Sequence, residues 1–350
     1  MNIGQMFLVG FRGSELKPTD WIVKSIQDRD LGGVILFDRN ISGAIQNFDS
    51  PSGLTRLVDS LHSLAATPLF IAVDQEGGKV CRLKENNNFP PICSAACMAK
   101  EGLDATRQQA DLLAQTLHAH GINLNFAPVV DLNLNPNNPI IGKFERSFGT
   151  NVSEVVAHAR LFIEQHHKYG IGCCIKHFPG HGSSKNDSHL GFVDITEDWQ
   201  EIELEPYREL ISNGYSDGVM TGHLVHRGLD RQGKPATLSP LMINNLLREN
   251  LRFSGVVFSD DLQMTAISKR WSYRQAVQEA VMAGVDMLVI GNNLCNQENA
   301  VEQGIDAVTE LLKQGRVSKE RIEQSIRNIW YLKQKIGGKR PWKNNNRPTV

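Results

Sequence analysis

Short apolar runs recur along the chain, each followed by a polar loop and then by a stretch of helical periodicity. The runs occupy 5–10, 33–37, 69–73, 123–126, 172–175, 218–220, 255–258 and 286–290. They are brief, and several are β-branched, as strands buried on both faces are. Amphipathic stretches lie between them near 18–29, 52–66, 102–119, 153–168, 198–212, 240–250, 273–284 and 297–313, and a last one near 319–335. Eight alternations of strand and helix predict an α/β fold in which a single (β/α)8 TIM barrel fills residues 1–336. A doubly wound sheet would use the same alternation, but the chain has no GxGxxG turn to support it. Residues 337–350 carry Lys339, Arg340, Lys343 and Arg347 and no acid, and are expected to form a solvated, flexible tail.

Composition narrows the function classes. The 350 residues hold 37 Lys+Arg against 38 Asp+Glu, a net charge of −1, with 41% hydrophobic and 21% charged residues. That is a globular composition with no basic field for phosphates, so no nucleic-acid partner is expected. No apolar run of about 18 residues occurs, so no membrane span is expected. The N-terminus lacks a basic region, a long apolar core and a small-residue cleavage site, and the expectation is a cytoplasmic protein. The six cysteines, Cys81, Cys93, Cys97, Cys173, Cys174 and Cys295, have no CxxC spacing and are expected to be buried, reduced thiols. Cys173 and Cys174 are adjacent within one apolar run and should point to opposite faces of a strand.

In such barrels the chemistry gathers at the carboxyl ends of the strands. Asp74, Glu76 and Arg82 follow the third run, Asp131 the fourth, and Lys176, His177, His181, Asp187 and His189 the fifth. His223 follows the sixth, Asp260 and Asp261 the seventh, and Asn292 the eighth. Ionisable groups therefore crowd one rim. Asp260 and Asp261 are neighbours, so one can reach the barrel axis while the other caps the next helix; spacing does not choose between them. Asp187 and His189 are two apart and can face the same way, so that a carboxylate orients an imidazole for acid/base work near neutral pH; a solvent-facing Asx-turn is the alternative. His177 and His181 have the spacing of a helical metal pair, but Pro179 and Gly180 between them oppose a helix, and loop-fixing roles are expected. Arg82, Arg146 and Lys176 are cations that either clamp hydroxyls or pair with nearby acids.

Lys176-His177-Phe178-Pro179-Gly180-His181-Gly182, Asp187-Ser188-His189 and Ser259-Asp260-Asp261-Leu262-x-Met264 resemble glycoside hydrolase family 3, in particular its β-N-acetylglucosaminidase branch, the cytoplasmic enzymes of peptidoglycan recycling. Asp74-Gln75-Glu76-Gly77-Gly78, Ala127-Pro128-x-x-Asp131, Gly33-Val34-Ile35-Leu36-Phe37 and Ala283-Gly284-Val285-Asp286 follow the same pattern, so the resemblance covers residues 4–336. It implies a (β/α)8 barrel with Asp260 as nucleophile, His189 as general acid/base and Asp187 as its partner. It places Asp74, Arg82, Arg146, Lys176 and His177 on the sugar. The reaction implied is retaining hydrolysis of terminal β-linked N-acetylglucosamine from muropeptides or chitooligosaccharides, through a covalent glycosyl-enzyme. The implied partner is a small carbohydrate, and neither a metal nor an organic cofactor is implied. β-Glucosidase activity is one alternative within the family. Phosphorolysis is another, because a neutral base repels phosphate less than a carboxylate does. Outside the family, a metal-dependent hydrolase would use His177, His181, His189 and Asp260, but Phe11-Arg12-Gly13 stands where a His-x-His pair would follow the first strand. A non-catalytic sugar-binding barrel would lack the nucleophile or the acid/base, and this chain has both.

Overall fold

The computed structural model describes residues 2–186, 191 and 193–336. The predicted runs become strands β1 (Phe7–Val9), β2 (Gly33–Ile35), β3 (Phe70–Val73), β4 (Leu124–Asn125), β5 (Gly172–Phe178), β7 (Gly218–Thr221), β9 (Val256–Ser259) and β10 (Leu288–Ile290). Two short strands between them, β6 (Val193–Asp194) and β8 (Leu224–Val225), pair with each other as a separate parallel ladder. The eight-stranded sheet runs β10-β1-β2-β3-β4-β5-β7-β9, and every pairing is parallel. A parallel bridge from Phe258 to Met287 joins β9 to the residue before β10 and closes the sheet into the predicted barrel. Each strand is apolar throughout because one face lines the barrel and the other meets helices: Phe7, Leu8, Val9 and Phe70 to Val73 are all fully buried.

The helices follow their local signals. Ser50 caps Pro51–Leu64 by accepting from the Gly53 amide, with Pro51 in the first turn, where its missing N–H costs nothing. Ser272 and Gln275 form a capping box on Tyr273–Ala283, which ends on left-handed Gly284. Three elements differ from expectation. The stretch near 198–212 splits into a 3-10 turn, Glu201–Leu204, and a helix, Glu205–Ser212. Pro206 lies in that helix's first turn, where a proline favours a fresh start. The stretch near 240–250 is a π-helix, Leu241–Asn250. A short helix, Ala95–Glu101, precedes Leu103–Ala119, a division that periodicity does not reveal.

The cysteines need a correction. All six are free, but only Cys81, Cys173 and Cys174 are buried; Cys93 and Cys97 are half-buried and Cys295 is exposed. Cys295 sits in the loop beyond β10. Cys173 and Cys174 are both fully buried on β5, and burial pushes both thiols well up. Among the described residues no helix is long and apolar enough to cross a membrane.

Candidate active site

The residues after β3, β4 and β5 interlock. Lys176, on β5 and only 2% exposed, places its Nζ 2.9 Å from Asp74 and 2.7 Å from Glu76. Arg146, in the loop after β4, takes both carboxylate oxygens of Glu76 in a fork, Nε and Nη2 each donating at 2.8 Å. Its Nη2 also lies 3.2 Å from His177 Nε2, and His177 Nδ1 lies 2.7 Å from Asp131. Arg82 reaches Asp74 at 3.4 Å and covers the ring of Phe37. The structure therefore brings Asp74, Arg82, Arg146, Lys176 and His177 into one network.

Two members of that network, Glu76 and Asp131, were not singled out as site residues in the sequence. Both lie inside the recognised motifs. The signal that could have found them is charge balance, since three cations destined for one buried rim require acids beside them. Asp131 is nearly inaccessible and accepts from the backbone amides of His177 and His181, so it fixes the strand end as well as the imidazole.

Electrostatics follow from this pairing. Burial pushes the Asp74 carboxyl up, but Lys176 and Arg82 outweigh it and hold it below the ordinary value. Burial of Glu76 is outweighed likewise by Arg146 and Lys176. Burial opposes the Lys176 charge, yet Asp74 and Glu76 push its ammonium up. Asp74, Glu76, Lys176 and Arg146 therefore all keep their charges, with Asp74 and Arg82 the more open members of the network at 18% and 26% side-chain exposure.

Asp260 and Asp261 close the other side. The Asp260 amide donates to Thr221 O of β7, and the Asp261 amide donates to the Asp260 carboxylate at 2.8 Å. Asp261 does not cap a helix, one of the two roles open to it. Its carboxylate accepts from the amides of Gln263 and Gly291, both at 3.0 Å, and so fastens this loop to the end of β10. Burial pushes Asp261 up to about 6, and the charges of Asp260 and Asp74 add to the rise. His223 holds the Asp261 carbonyl through Nε2 at 2.9 Å.

His181 is a loop-fixing residue, as expected. It is buried, its Nδ1 lies 2.6 Å from Ser184 Oγ, and burial, with His177 nearby, lowers it to about 4, so it is neutral. Asp187 and His189 lie outside the described residues. Among the described residues no group of three or more His, Cys, Asp or Glu is arranged to hold a metal ion.

The profile of the glycosyl hydrolase family 3 N terminal domain matches residues 1–332. A protein named beta-hexosaminidase from Tolumonas auensis is 39% identical over 267 residues, 75% of this chain and 76% of its own. Another of that name from Idiomarina loihiensis is 34% identical over 86% of each chain. Among solved structures, a glycoside hydrolase family 3 beta-N-acetylglucosaminidase from a Paenibacillus species superposes with a TM-score of 0.86 at 33% identity. That match covers 96% of this chain but 62% of the Paenibacillus chain. A Beta-N-acetylhexosaminidase from Beutenbergia cavernae superposes with a TM-score of 0.82 at 27% identity, over 95% of this chain and 97% of its own.

Proposed function

The chain belongs to glycoside hydrolase family 3 and is a glycoside hydrolase acting on β-N-acetylhexosaminides; from that premise we propose that it releases terminal N-acetylglucosamine with retention, through a glycosyl-enzyme on Asp260. The observation that supports this reading is that Asp260 follows the carboxyl end of β9, on the same rim of the parallel barrel as the Asp74–Lys176–Glu76–Arg146–His177 network.

In the first half-reaction an Asp260 carboxylate oxygen attacks the anomeric carbon while His189 gives its proton to the departing glycosidic oxygen. In the second, His189 takes a proton from water, whose oxygen attacks the anomeric carbon and expels Asp260. Asp187 holds the imidazole in the tautomer that can do both. Asp74 accepts from sugar hydroxyls and Arg82 donates to them, since these are the more open members of the network. Lys176 and Arg146 keep Asp74 and Glu76 ionised, and His177 is oriented by Asp131.

Muropeptides or chitooligosaccharides are the substrates proposed, within cytoplasmic peptidoglycan recycling; six free thiols suit a reducing compartment. The experiment is release of nitrophenol from the aryl β-N-acetylglucosaminide beside the matched β-glucoside, with the first-formed anomer read by NMR. Preference for the acetamido sugar with a β-product supports the reading. Preference for the glucoside, or an α-product, overturns it. Repeating the reaction in phosphate separates hydrolysis from phosphorolysis, and comparing muropeptide with chitobiose identifies the aglycone.

A further inference from the structure

Glu203 has no part in the reaction as derived so far, yet it is 1% exposed and lies against the turn that follows β5. It belongs to the 3-10 turn Glu201–Leu204, which Gln200 and Glu203 secure as a capping box. Its carboxylate accepts four hydrogen bonds: from the Gly182 amide at 3.0 Å, the Ser183 amide at 3.4 Å, Ser183 Oγ at 2.5 Å and the Gln200 amide at 3.3 Å. The turn is moulded to it. Gly180 has a φ of +123°, and a Cβ there would come within 2.6 Å of Glu203 Cβ. At Gly182 a Cβ would come within 1.6 Å of Leu132 O.

Other ties converge on the same few residues. Asn138 Nδ2 donates to His181 O at 2.7 Å and to Ser184 Oγ at 3.0 Å, and Asn135 Nδ2 donates to Ser184 O at 3.0 Å. Trp199 Nε1 donates to Pro179 O at 3.1 Å. Asp131 also accepts from the His181 amide at 3.0 Å, but it is Glu203 that takes the Gly182 and Ser183 amides, the last of these ties before Ser184.

We propose that Glu203 is a positioning residue for the reaction: by holding Gly182 and Ser183 it sets where the chain that carries Asp187 and His189 departs from the barrel rim. This rests on the reading of His189 as the acid/base. The titratable groups facing Glu203 are Asp131, from the loop after β4, and Tyr207, from Glu205–Ser212. Burial, with Asp131 adding to it, pushes the Glu203 carboxyl up to about 7 against the pull of Ser183.

The test exploits the unequal need of leaving groups for a proton. Aryl β-N-acetylglucosaminides with phenol or dinitrophenol leaving groups are compared by kcat/KM, which reports formation of the glycosyl-enzyme. For Glu203→Gln the expected loss is about 10- to 100-fold with phenol and under about threefold with dinitrophenol, the signature of a displaced acid. Equal losses for both, or no loss for either, overturn the proposal. If Glu203→Gln fails to fold by circular dichroism, Ser183→Ala decides instead; it removes one of the four bonds and should show the same imbalance, several-fold. His189→Ala is run alongside. If that variant shows no imbalance, the acid/base reading fails and this proposal falls with it. If His189→Ala shows it and Glu203→Gln does not, the Glu203 proposal alone fails.

Discussion

Two buried lysines at opposite ends of the barrel behave in opposite ways. At the carboxyl rim, Lys176 touches both Asp74 and Glu76, and its ammonium is pushed up despite burial. Lys333 of the C-terminal helix Lys319–Ile336 is equally inaccessible at 2%. Its Nζ donates to Gln5 Oε1 at 2.7 Å and lies 5.0 Å from the centre of the Phe70 ring, and it makes no salt bridge among the described residues. Burial therefore prevails, lowering it to about 7, with only Asp30 pulling it back. The two ends bury the same side chain. They differ in whether acids were brought beside it, and only the end with acids can hold fixed charge against a substrate.

The largest expected effect is at the rim. Asp260→Ala should lower turnover about a thousandfold or more while leaving the fold intact, because the half-exposed Asp260 carries little packing. Near-normal hydrolysis with an intact circular dichroism spectrum would remove Asp260 from its role. Next comes Lys176→Met, which takes one of two cationic partners from each of Asp74 and Glu76 and leaves them Arg82 and Arg146. It should cost about 1–3 kcal/mol of stability as well as activity, measured by denaturant unfolding. A loss under about 1 kcal/mol would show that the rim charges are not mutually dependent.

At the other end, Lys333→Met should leave activity unchanged and act on stability with a definite pH dependence. The folded value of about 7 lies below the ordinary 10.5, so between these the unfolded chain binds more protons and wild-type stability rises with pH. The cost of burying the charge is greatest below pH 7 and vanishes above 10.5. Relative to wild type the variant should gain about 1–3 kcal/mol at pH 6, and less at pH 9. A gain that grows with pH would break the contrast between the two lysines. The smallest effect concerns thiols. Cys295 should react first with a thiol reagent and Cys173 and Cys174 only on unfolding, while Cys295→Ser changes stability by less than about 0.5 kcal/mol. Early labelling of Cys174 would show that the barrel interior opens.

The strands were legible because burial on both faces leaves no polar alternation to confuse: each predicted run overlaps a barrel strand, and three strands continue past the run by one to three residues. The helix starts were legible where capping residues stood at the boundary, as with Ser272 and Gln275. The two-residue strands β6 and β8 were not, because pairing so short has no period of its own and forms only once the rim has assembled. The site was legible as a crowd of ionisable groups at one rim. Which acid answers which cation was not: Glu76 lies 70 residues from Arg146, and Asp131 lies 46 from His177.

The sequence by itself determined the alternation of strand and helix, the rim on which the polar groups gather and the family, because periodicity and local motifs are properties of neighbouring residues. Only the tertiary structure decided that Lys176 keeps its charge while Lys333 is lowered to about 7, that Asp261 fastens a loop to β10, and that Glu203 grips the turn before the Asp187 and His189 stretch. Each depends on partners distant in the chain. In a low-dielectric interior those partners, rather than residue type, set the charge a side chain can keep.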